Sequence, residues 1–136
     1  MSTLRVAAIQ TSYQDDEEAD IARTVALVGE AAAGGAQIVL PPELFAGHYF
    51  CKTEDEAHFE RARPTARHPA VQAMQDVAAR CSVVIPTSYF EKEGPHYYNS
   101  VAIVDADGQV LGNYRKSHIP DGPGYEEKFY FRPGIS

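Results

Sequence analysis

The sequence has no apolar run approaching the roughly 20 residues that a membrane-spanning helix needs, which excludes a helical membrane protein. It opens Met-Ser-Thr-Leu-Arg and turns at once into a strand pattern, leaving no space for a secretory leader. A cytoplasmic location is therefore expected. Cysteine is scarce: Cys51 and Cys81 show neither disulfide nor zinc spacing and read as free thiols in a reducing compartment. Basic residues are also few. Twelve Lys and Arg stand against nineteen Asp and Glu, for a formal net charge of −7, and no basic patch stands out. Nucleic acid is thus an unsuitable partner. The five histidines have no metal-ligand spacing, and neither a His-Glu-x-x-His nor a Gly-x-Ser-x-Gly pattern occurs. Gly122-Pro123-Gly124 precedes no helix start in nucleotide-binding register. Repeats, low-complexity tracts and obvious linkers are missing too.

What is present fits a single soluble domain of 136 residues, 44% hydrophobic and 23% charged. Leu4–Gln10 is a short apolar run suited to a buried strand. Asp15-Asp16-Glu17-Glu18 supplies the acidic first turn that helices favour. Ile21, Val25, Val28 and Ala32 then draw one apolar helical stripe, closed by Gly34-Gly35. Ile38-Val39-Leu40 reads as a second strand, stopped by Pro41-Pro42. Residues 46–68 are polar and irregular, with a short helix expected around Asp55–Arg63. A second amphipathic helix begins near Pro69, a favourable first-turn proline, with Val71, Met74, Val77, Ala78 and Cys81 on one face. Ser82–Ile85 is a third strand that Thr87–Phe90 can extend past Pro86. Tyr98–Asp105 and Gln109–Tyr114 flank Ala106-Asp107-Gly108 as a hairpin. This order predicts an α/β fold with a mixed, mostly parallel sheet flanked by helices. Ligands of such sheets gather at the carboxyl ends of strands, which directs attention to the residues just after Leu40 and Tyr114.

Glu43 comes after Pro41-Pro42 at such an end, beside Leu44 and Phe45, a setting suited to a general base. Read alone, a glutamate after a strand is more often a surface or helix-start acid. Arg115 and Lys116 should point to opposite faces if strand alternation holds, and either can aim a cation at a developing oxyanion. Asp121 to Phe131 reads as a glycine- and proline-rich loop leading to Glu126 and Glu127 and then to an aromatic cluster; it can lay the acids over a pocket, or leave them solvated while the aromatics pack.

Taken in order, these segments resemble the nitrilase superfamily of carbon–nitrogen hydrolases. Arg5-Val6-Ala7-Ala8-Ile9-Gln10 is similar to its first strand, and Gly34 to Phe45 to the stretch holding its catalytic glutamate. Tyr97-Tyr98-Asn99-Ser100 with Leu111 to Lys116 is similar to the stretch ending in its catalytic lysine. Phe45 to Cys51 and Lys116 to Phe131 narrow the resemblance to the branch acting on N-carbamoyl amines.

The resemblance implies that residues 1–136 form the N-terminal part of a nitrilase-type α-β-β-α sandwich, C-terminally incomplete. It implies Glu43 as general base, Lys116 as the oxyanion-stabilising cation, and Glu127, with Glu126 adjacent, as a supporting carboxylate. The substrate would be a small linear amide or an N-carbamoyl amine, the latter released as amine, carbon dioxide and ammonia. Tyr125, Glu126 and Tyr130 are candidates to receive its free ammonium. Neither a metal nor an organic cofactor is implied, and homo-oligomers are expected of the full-length form.

The family's nucleophilic cysteine lies on a later strand, and the Ile135-Ser136 ending departs from the acidic residue usual after this Pro-Gly. Cys51 and Cys81 are poor substitutes, because a catalytic thiol needs a thiolate-stabilising setting within reach of the base. The chain is accordingly expected to be either the front part of an amidohydrolase, inactive alone, or a non-catalytic remnant that binds a homologous subunit.

Overall fold

The computed structural model describes residues 2–135. Ser136, half of the Ile135-Ser136 ending, lies outside them. Strand β1 (Val6–Ala8) leads to helix α1 (Glu17–Ala33), strand β2 (Ile38–Leu40), helix α2 (Pro69–Cys81) and the long strands β3 (Ile85–Glu93), β4 (His96–Val104) and β5 (Val110–Arg115). Two short strands, β6 (Asp121–Gly122) and β7 (Tyr125–Glu126), precede one turn of helix, α3 (Glu127–Tyr130). The short helix expected near residue 55 is a 3-10 segment over Glu56–Arg61.

Each helix begins and ends where its sequence provides partners for orphan backbone groups. The Asp16 carboxylate accepts from Ala19 N–H at the start of α1, and Gly34 and Gly35 close its last turn on the Glu30, Ala31 and Ala32 carbonyls. His68 caps α2, its Nδ1 accepting from Ala70 N–H, with Pro69 in the first turn. Ile21 and Val28 of α1 meet Met74, Val77 and Ala78 of α2, and together they pack on Val39, Val83, Ile85 and Val104. At about 25 cal/mol per Å² of apolar surface removed from water, this layer supplies the main driving force for folding.

The sheet is mixed. β1 pairs with β2 in parallel, and β2 joins the start of β3 in parallel through Val39 N–H to Val84 O and Val84 N–H to Gln37 O. The longer ladders β3–β4 and β4–β5 are antiparallel and carry more of the pairing than the mostly parallel sheet expected from the sequence. The reason is a tight turn at Gly94-Pro95, which folds the chain straight back from β3 into β4; Gly94 takes φ +57° there. The second hairpin forms at Asp107-Gly108 as expected.

Because side chains alternate along these strands, the sheet separates two polar groups. Tyr89, Glu91, Ser100 and Arg115 share one face, while Phe90, Asn99 and Lys116 share the other. On the first, the buried Glu91 carboxylate receives both arms of the Arg115 guanidinium, at 2.9 and 2.8 Å, and the Ser100 hydroxyl at 2.7 Å. These bonds hold Glu91 below its ordinary carboxyl range against the opposing effect of burial. Arg115 is thereby committed to structure, and Lys116 emerges at the opposite face.

Candidate active site

Glu43 sits in the turn leaving β2. Leu44 beside it adopts φ +52°, an uncommon conformation for a residue with a branched side chain, and donates its N–H to Ser88 Oγ at 2.8 Å. Leu44 is buried, so packing and this hydrogen bond maintain a strained backbone beside the carboxylate. From there Glu43 reaches Lys116, whose Nζ lies 3.2 Å from Glu43 Oε1 and 3.0 Å from Glu127 Oε1. Two carboxylates from separate segments thus converge on one ammonium.

The two carboxylates differ in setting. Both Glu127 oxygens are used: Oε1 by Lys116 and Oε2 by the Tyr49 hydroxyl, which donates at 2.6 Å. Its side chain is only 4% exposed, whereas that of Glu43 is 47% exposed. Glu43 Oε1 accepts from Asn99 Nδ2 at 2.7 Å as well as from Lys116. Its second oxygen has no protein partner among the described residues, so Glu43 is the carboxylate open to a reacting proton. Burial would lower the Lys116 pKa, but the Glu127 hydrogen bond and the Glu43 charge outweigh it and raise the value. Lys116 therefore stays cationic across the neutral range.

Cys51 lies beneath this group, fully buried in a cluster with Leu44, Phe50, Phe90, Tyr130 and Phe131. Burial first, then the negative charge of Glu127, pushes its thiol up to about 12. It is a neutral packing group, not an activated nucleophile. Cys81 ends α2 on the helical layer.

The three candidate substrate contacts differ in exposure and bonding. Tyr130 is buried in the aromatic cluster, and its hydroxyl is engaged by the Thr53 carbonyl and by Asp55 N–H. These bonds tie the loop after residue 50 to α3. Tyr125 is 45% exposed and Glu126 half-buried in the β6–β7 pair. Sequence reasoning gave no role to Tyr49 and Asn99. Both lay within segments that resembled the family, and only their hydrogen bonds distinguish them from neighbours. No group of three or more metal-ligating side chains occurs among the described residues.

A carboxylate with an open oxygen, an ammonium fixed beside it and a sealed second carboxylate make up the candidate site. The chain belongs to the carbon–nitrogen hydrolase family, whose sequence model matches residues 5–135. It is 53% identical over 129 residues to N-carbamoylputrescine amidase of Arabidopsis thaliana, covering 95% of this chain and 43% of that protein. A citrullinase of Francisella tularensis is 42% identical over 134 residues, covering 98% and 47% respectively. The solved carbon–nitrogen hydrolase of Helicobacter pylori G27 superposes with a TM-score of 0.90 at 32% identity, covering 97% of this chain and 45% of that one. The chain spans less than half the length of each of these relatives.

Proposed function

We propose that this chain provides the base, the cation and the supporting carboxylate of an amidohydrolase acting on N-carbamoyl amines. The single observation behind it is the bridging of Glu43 and Glu127 by Lys116. N-carbamoylputrescine and citrulline, named for two of the relatives, both carry a terminal ureido group on an amine-bearing chain, and that group is the proposed substrate class. The nucleophilic cysteine comes from residues outside these 136.

In this mechanism Glu43 takes the thiol proton through its free oxygen as sulfur attacks the ureido carbon. Lys116 faces the oxygen that becomes negative, and Glu127, immobilised by Tyr49, keeps the ammonium in position. Glu43 returns the proton to the departing nitrogen, so ammonia leaves and an N-alkyl carbamoyl thioester remains. Glu43 then deprotonates water. Hydrolysis regenerates the thiol and releases a carbamate, which breaks down to amine and carbon dioxide.

A second reading, a non-catalytic module that binds a homologous subunit, draws support from the high pKa of Cys51, which leaves the described residues without an activated thiol near the base. One experiment separates the two. The chain is joined to the remaining C-terminal part of the Arabidopsis relative, and ammonia release is measured with N-carbamoylputrescine, citrulline and a simple aliphatic amide. The enzymatic reading expects turnover of at least one ureido substrate in preference to the amide. A folded hybrid that releases no ammonia from any of them contradicts it and favours the module.

A further inference from the structure

We propose that Asn99 is a positioning residue that sets the spacing between Glu43 and Lys116, a reading that rests on the proposed hydrolase function for its kinetic consequence. Asn99 is 5% exposed and lies on β4, next to the strand that delivers Lys116. Its main-chain carbonyl accepts from Lys116 N–H at 2.8 Å, which anchors the backbone of the cation. Its side-chain nitrogen donates to Glu43 Oε1 at 2.7 Å, which anchors the base. One residue therefore binds both partners, one through backbone and one through side chain.

An ionised carboxylate only accepts hydrogen bonds, so the amide must turn its NH2 toward Glu43. Occupying Oε1 from two donors leaves Oε2 as the atom that exchanges protons with the reacting groups. Glu43 otherwise projects from a turn with nearly half of its side chain in solvent, and an unrestrained glutamate there has several rotamers. Lys116 does not need Asn99's side chain in the same way, because Glu127 holds the ammonium independently at 3.0 Å.

Two variants test this. Asn99→Ala removes the side chain and keeps the backbone bond; Asn99→Asp keeps the shape but replaces the donor with a carboxylate. In crystal structures of the chain, both are expected to show Glu43 displaced from Lys116 while the Lys116–Glu127 contact persists. Glu43 still 3.2 Å from the ammonium in the variants overturns the proposal. In the active hybrid, misplacing the base lowers kcat by about 100-fold with KM nearly unchanged. Asn99→Asp additionally moves the acidic limb of the kcat/KM profile to higher pH, because a second carboxylate opposes ionisation of the base. A merely structural residue would reduce the folded yield and leave the profile in place. An inactive parent hybrid with a displaced Glu43 in the variant crystals defeats the hydrolase reading and leaves the positioning role standing. An active parent matched by its variants does the reverse.

Discussion

His68 shows how much one side chain does away from the active site. It is 1% exposed, caps α2 through Nδ1 and meets Tyr89 edge-to-face with ring centroids 5.4 Å apart. Burial, then the Arg63 charge, lowers its pKa from 6.5 to about 4. In the unfolded chain the imidazole takes up its proton near pH 6.5, but the folded chain resists until about pH 4. Stability is thus complete above the unfolded value and falls as pH drops through that window, by about 3 kcal/mol. Urea unfolding between pH 7 and pH 4 should show this decline, and His68→Asn, which can still cap the helix, should flatten it. An unchanged slope in the variant would mean that other groups carry the titration. Nothing in the sequence distinguished His68 from the other four histidines, since its burial depends on α2 docking against β3. Glu43 and Lys116 could be singled out because they follow strands within family-like segments; the hydrogen bonds that bring them together join residues 56 and 73 positions apart.

At the scale of elements, α1 and α2 obey local rules and matched the sequence closely: acidic start, apolar stripe, glycine stop for the first, proline entry for the second. The strands obeyed tertiary partners instead. β3 continues through Pro86, and three residues beyond Phe90, because β4 returns alongside it to Glu93. The segment from Phe131 to Gly134 has no regular secondary structure, yet it helps to locate Lys116. Arg132 N–H bonds Tyr97 O and Gly134 N–H bonds Lys116 O, at 2.8 and 2.9 Å. Gly134 lies so close to Arg115 that an added Cβ would overlap its carbonyl oxygen and its side chain. Gly134→Ala should therefore push this segment away and destabilise the chain by about 1–3 kcal/mol, as forced overpacking does. Denaturant unfolding measures it; a variant as stable as the parent would show that the segment contributes nothing to holding Lys116.

Across the whole molecule, one face of the sheet is covered by two helices and the other remains open where β1 and β2 meet. Val6 is 67% exposed and Leu40 50%, on strands that pair directly. The candidate site lies on the uncovered side, at the strand ends, as expected of an open α/β sheet. Among the described residues no helix is long and apolar enough to cross a membrane. The proposed role of Glu43, held by Lys116 and Asn99, is that of the base in a carbon–nitrogen hydrolase. Its most direct measurement is the rate of ammonia release from N-carbamoylputrescine by the hybrid enzyme with Glu43 intact and with Glu43→Gln. Loss of the base should lower kcat/KM by at least about 100-fold in a protein that still folds. A Glu43→Gln enzyme that keeps the parental rate would contradict it.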